Sequence, residues 1–284
     1  MNAEDDSGRT ALHLMDAASS EDTVDFRREH GGREFLNILN IKKQQSMSSI
    51  NIHDAAKNAD VEAVKALITN TANVDAKDSV GRTPLHIAVI YDNAEVAELL
   101  LAKGADVNAK NNDALTPLHA FAMTPTLGVA MVGKGTVADI LISKGADINA
   151  RGRNGNTPLH LAAYAGHKDV AKYLFANGAD VNAKDDEGAT PLLKALSGFA
   201  AGYLAIMGGG DKSLLQSQLR TRKEVAEFLI ANGADVNERK ADGTSPLMCV
   251  SQLKAIAELM PSGGAVECGD KDLADILRAH GAHE

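Results

Sequence analysis

Tryptophan is absent from this chain of 284 residues, and aromatic residues of all kinds make up only 4%. So few large rings argue against an aromatic-filled sandwich and for helices packed through small side chains. Cysteine is nearly missing too: Cys249 and Cys268 supply no disulfide framework and fit a reducing, cytoplasmic compartment. No basic run occurs, and 29 Lys and Arg face 38 Asp and Glu for a net charge of −9. Phosphate binding needs clustered cations, so nucleic acid is not an expected partner. The longest apolar stretch, FAAGYLAIM at 199–207, is far short of the ~20 residues that span a bilayer. No membrane insertion is expected. The acidic opening MNAEDDSGRT lacks an apolar h-region, so no secretory signal is expected either. Apolar residues still reach 44%, enough for a sizeable core in one or two globular domains or one elongated stack.

Repetition decides between these. TPLH begins at Thr83, Thr116 and Thr157, TPLL at Thr190 and SPLM at Ser245, at intervals of 33, 41, 33 and 55 residues. GADVN or GADIN has its glycine at 104, 145, 178 and 233, and its intervals stretch in step with the first marker. His53, in IHDAA, precedes His86 by the same 33 residues. The base period is 33, with residues inserted in some copies.

Each copy has the same physical reading. Thr157 is suited to N-cap a helix whose first turn opens on Pro158, where no N–H is needed. A short alanine-rich helix follows. After Gly166 a second helix presents Val170, Tyr173 and Leu174 at i, i+3, i+4. The triplet recurs at Val96, Leu99, Leu100; at Val137, Ile140, Leu141; at Val225, Phe228, Leu229; and at Leu273, Ile276, Leu277. Gly178 ends the second helix as a left-handed residue, and DVNAKDDEG reads as a short hairpin to the next Thr. One such helix pair buries too little alone, so stacking follows.

The 33-residue period, TPLH, the GH after the first helix and GADVNA together resemble the ankyrin repeat family over roughly 51–284. The expected fold is an all-α repeat solenoid: stacked helix-turn-helix units joined by short β-hairpin loops. Units are expected near 51–77, 78–110, 111–151, 152–184, 185–239 and 240–284. Extra residues, 8, 22 and 15 over the period, fall between the two helices of a unit at about 124–136, 198–220 and 254–269. Two readings stand for these insertions: longer helices with solvated loops, or a second partner surface. Residues 1–50 also leave two readings, a degenerate first unit around Thr10 and His13 or a loosely attached extension.

The recurring histidines His53, His86, His119 and His160 tempt a metal assignment. Successive units stack about 8–10 Å apart, whereas ligand nitrogens sit ~2 Å from a zinc ion. Each imidazole is therefore expected to hydrogen-bond the cap around its own Thr, as the resemblance also implies. GVAMVGKGT at 128–136 nearly spells a phosphate loop, but Gly135 follows Lys134 and the stretch lies between two helices. Cys249 sits where a small apolar residue belongs, and Cys268 lies beside Glu267 and Asp270, whose charges raise a thiol pKa. No enzyme, metal or cofactor is expected.

What the resemblance implies is a protein partner, bound by hairpin tips and the exposed side of the first helices. At the hairpins these positions are Ser79, Val80, Arg82, Asn112, Asp113, Leu115, Arg153, Asn154, Asn156, Asp186, Glu187, Asp242 and Thr244. The first helices add Ile90, Tyr91, Met123 and Tyr164. Tyr91, Arg82, Arg153 and Tyr164 are the hot-spot residue types. Leu115 is expected to be exposed, beside an Ala114 that replaces the usual turn glycine. The alternative is a structural or regulatory subunit that uses its insertions for partner binding or self-association. A monomer is the default.

Overall fold

The structure is a computed structural model that describes the backbone of residues 51–69, 72–124, 136–197, 212–258 and 270–283. Side chains are described for these except at 212–219, 253–258 and 270–272. The expectations for residues 1–50, the centres of the three insertions and Cys268 lie outside the described residues. Helices run in pairs: α1 (Ile52–Lys57) with α2 (Val61–Thr69), α3 (Pro84–Ile90) with α4 (Ala94–Ala102), and α5 (Pro117–Met123) with α6 (Val137–Ser143). Then come α7 (Pro158–Ala165) with α8 (Lys168–Ala176), α9 (191–197) with α10 (Lys212–Ala231), and α11 (Pro246–Glu258) with α12 (Asp270–Ala279). First helices α1, α3, α5 and α7 pack in succession into one layer. Second helices form the other, with α2 on α4, α4 on α6, α8 on α10 and α10 on α12.

The layers bury a continuous apolar seam. Leu85, Leu118, Leu159 and Leu192 from the first helices meet Leu100, Leu141 and Leu174 from the second, all fully buried. Ala88, Ala122, Ala162 and Ala163 are fully buried too, and their small side chains let neighbouring helices approach closely. In the second-helix triplets the first and third members are buried; of the middle ones Leu99, Tyr173, Phe228 and Ile276 are half-buried and Ile140 is buried.

Among the described residues there is no strand, so the connections are tight turns. The turn from Asp78 to Arg82 is closed by Asp78 N–H to the Arg82 carbonyl (3.0 Å) and Gly81 N–H to the Asp78 carbonyl (2.9 Å). Five residues closed on themselves leave no length for a ladder. Successive tips meet instead through single backbone bonds: Asn112 N–H to Val80 O, Arg153 N–H to Asp113 O, Asp186 N–H to Asn154 O and Ala241 N–H to Glu187 O.

Ala114 shows what the turn demands. It adopts φ 58°, in the left-handed region where Gly81, Gly188 and Gly243 stand in the other turns. The turn keeps its shape, with Ala114 N–H on the Asn111 carbonyl at 3.0 Å. A left-handed L-residue costs about 1–2 kcal/mol, against about 0.5–1 kcal/mol of extra chain entropy for glycine. Ala114→Gly is therefore expected to stabilise the fold by about 0.5–1 kcal/mol, read as a higher urea midpoint.

Two insertions are partly helical. α10 has 20 residues where α8 has 9, so residues from Lys212 onward lengthen the second helix. α11 has 13 residues where α5 has 7, so the third insertion begins as helix.

Candidate partner-binding face

His86, His119 and His160 are fully committed inside the stack. Thr83, Thr116 and Thr157 donate their backbone N–H to Nδ1 of His86, His119 and His160, each at 3.1 Å. An N–H can only donate, so Nδ1 carries a lone pair and the ring proton sits on Nε2. That Nε2–H donates to the next level: His86 to Leu115 O (2.9 Å), His119 to Asn156 O (3.0 Å) and His160 to Ala189 O (2.9 Å). His53 reaches the Arg82 carbonyl in the same way (2.9 Å). The rings of His86, His119 and His160 thus bind their own caps, as expected, and also fasten one level to the next; among the described residues the His53 ring makes only the contact to the next level. Burial holds all three buried rings below the usual imidazole range, His160 at about 4. Beyond His160 the chain of rings stops, because Leu193 and Met248 take the histidine places. There Asp185 pairs with Lys194 at 2.5 Å. Burial pushes the Asp185 carboxyl up, but the Lys194 ammonium and the Ala189 and Glu187 amides outweigh it and hold it low.

Two further sets of side chains stitch the levels. Asn108, Asn149, Asn182 and Asn237 each donate to a glycine carbonyl one level on, at Gly145, Gly178, Gly233 and Gly281. Lys77 donates to Lys110 O, Lys110 to Arg151 O and Arg151 to Lys184 O. Cys249 is buried, and burial pushes its thiol up, away from a reactive thiolate.

The side of the first helices carries the exposed apolar groups. Tyr91 is 48% exposed, Met123 52% and Tyr164 45%, with Val80 48% exposed at the first turn tip. Both tyrosines are braced by cations: Lys57 Nζ lies 5.4 Å from the Tyr91 ring and the Arg222 guanidinium 5.8 Å from the Tyr164 ring. Arg222 also donates to the Tyr164 carbonyl at 2.9 Å. Ile90 is half-buried.

The charged tip residues Arg82, Arg153 and Asp186 are engaged within the stack. Arg82 pairs with Asp78 (2.8 Å), Arg153 with Asp113 (2.7 Å) and Asp186 with Arg151 (2.8 Å). Asn112 Nδ2 reaches the Ser79 carbonyl, Asn156 Nδ2 the Arg153 carbonyl, and Asp242 accepts from the Thr244 amide. Ser79, Asn154 and Glu187 are exposed, and Thr244 is half-buried. Leu115 corrects the expectation of exposure. It is half-buried because its side chain lies over Gly152, where a Cβ would come within 2.8 Å of Leu115 Cδ2.

The family model described as "Ankyrin repeats (3 copies)" matches residues 14–111, 52–151, 107–185 and 126–213. The chain belongs to the ankyrin repeat family. It is also similar to an ankyrin repeat domain from Acinetobacter baumannii AYE, solved as a crystal structure. Identity is 27% and the TM-score 0.58, over 82% of this chain and 98% of that one. No curated protein matches the chain. Ankyrin repeats are in general protein–protein interaction modules, and the family is typically non-catalytic. Among the described residues of this ankyrin repeat chain, no helix is long and apolar enough to cross a membrane.

Sequence reasoning about the ankyrin face missed Lys57 and Lys77, which share a cleft with Arg82 and Tyr91. A signal for Lys77 existed: a cation recurs at 77, 110, 151 and 184, always after an Ala. Met248, 39% exposed where other levels hold a buried histidine, was missed as well.

Proposed function

We propose that the chain is a non-catalytic, cytoplasmic module without a cofactor that holds a protein partner along its first helices and turn tips. The observation that carries this reading is the set of large apolar side chains Tyr91, Met123 and Tyr164 left in solvent at the ends of three successive first helices. Tyrosine concentrates at binding hot spots because one stiff side chain offers both a broad apolar face and a hydroxyl. The flanking turns would form the rim, where Val80, Asn154 and Glu187 face solvent. The non-catalytic reading is supported by the engagement of the buried imidazoles and the burial of Cys249.

A second surface is favoured by α10, whose N-terminal extension gives the middle insertion a helical base. Affinity capture separates the two readings. Tyr91→Ala combined with Tyr164→Ala is expected to weaken partner recovery by at least about thirtyfold, while deletion of 198–211 leaves it intact. The reverse outcome would replace the first-helix face with the insertion.

A further inference from the structure

Where the first turn meets α1 and α3, the chain encloses a cleft of about 370 Å³. His53, Lys57, Lys77, Arg82, Ile87 and Tyr91 supply its walls. A cleft of this size admits one side chain of a bound segment. Its charges are unevenly satisfied. Asp78 is committed to Arg82, accepting from its guanidinium and from the Arg82 and Val80 amides. Burial pushes the Asp78 carboxyl up, yet these hydrogen bonds outweigh it and hold it low. Asp54, the other carboxylate of the cleft, takes the Asn51 side-chain amide at 2.7 Å. Among the described residues Lys57 has no carboxylate partner, and it rests over the Tyr91 ring. Lys77 gives one N–H to the Lys110 carbonyl, and an ammonium carries three. His53 uses Nε2 on the Arg82 carbonyl, and among the described residues nothing bonds its Nδ1.

Three cations thus face two carboxylates in a cleft of a chain whose net charge is −9. At the far end of the turn row the charges are mixed: Glu187 and Asp242 are exposed, but Lys240 stands in the same turn as Asp242 and Arg239 precedes it. We propose that the cleft anchors a glutamate side chain of the partner, its methylenes against Tyr91 and Ile87 and its carboxylate on Lys57 and Lys77. This inference rests on the proposed partner-binding reading and gives it one anchoring point.

The test is an amide-detected NMR titration of the full chain with N-acetylglutamate amide, and in parallel with N-acetylglutamine amide. Saturable shifts are expected at Lys57, Lys77, Arg82 and Tyr91. Affinity should fall about tenfold for the glutamine analogue and in Lys57→Met, since each removes a charge-assisted contact. Lys57 is exposed, so that variant keeps the fold; Lys77→Met provides an independent second variant. Equal shifts by both analogues, shifts spread over lysines outside the cleft, no shift at all, or unchanged affinity in both variants overturns the anchor. If the probe fails while Tyr91→Ala with Tyr164→Ala still abolishes partner capture, only the anchor falls. If the probe binds but those tyrosines prove dispensable, the partner face falls.

Discussion

His160→Ala is expected to cost about 3–5 kcal/mol, among the largest single effects in the chain. The ring is fully buried, with Nδ1 taking the Thr157 amide and Nε2–H held by the Ala189 carbonyl. Its removal strands a buried donor and a buried acceptor and opens a ring-sized void between two levels. Each stranded group costs about 1–3 kcal/mol, and emptying an aromatic-sized site costs a similar amount. Urea unfolding also reports how the loss is distributed. In a stack, stability is a sum of level terms and joint terms, so breaking one joint should lower the m-value as well as the midpoint. His160→Gln, which can still accept from the Thr157 amide, should recover part of the loss. A cost below about 1 kcal/mol in the alanine variant would show that the joint does not depend on the ring.

Mild acid is expected to loosen the stack through the same rings. His86, His119 and His160 are held below the usual imidazole pKa by burial, His160 at about 4. In the unfolded chain they titrate near pH 6.5. Between those values the unfolded state binds protons that the folded state refuses, so stability falls as pH falls. The contribution is complete above about pH 6.5, and for His160 it is lost progressively down to about pH 4. His160 alone accounts for about 3 kcal/mol over that window. The lowered carboxylates Asp78 and Asp185 act in the same direction but only at lower pH, below the ordinary carboxylate range. Urea midpoints measured at pH 7.5, 6, 5 and 4 test the expectation. A flat profile from 7 to 4.5 would falsify the neutral-ring account, and His160→Gln should flatten the slope by about one proton.

Much of this fold is legible along the chain because its determinants are local. Thr157, Pro158 and His160 lie within four residues, so cap, first turn and ring follow from their spacing. The triplet Val170, Tyr173, Leu174 places its inward face by helical geometry alone. The second half of each histidine's role is not local. The acceptor of His86 is 29 residues on and that of His119 is 37 on, so the contact exists only once the stack closes. Leu115 failed for the same reason, since Gly152, across an insertion, decides how deeply it sits. The face behaved unevenly. The tyrosines stand in solvent as their helix-end positions imply, whereas Arg153 and Asp186 are drawn into pairs between neighbouring turns that no single copy of the motif contains.

The even stacking of the first helices also makes the molecule a ruler. Tyr91 and Tyr164 close the first helices α3 and α7, two levels apart with Met123 between them. At about 8–10 Å per helix layer, the two rings stand on the order of 16–20 Å apart. A ligand that spans them needs about 11–13 residues if helical, at 1.5 Å per residue, or about 5–6 if extended. Anything shorter grips one ring at a time and forgoes the joint hold that makes two modest contacts into one firm one.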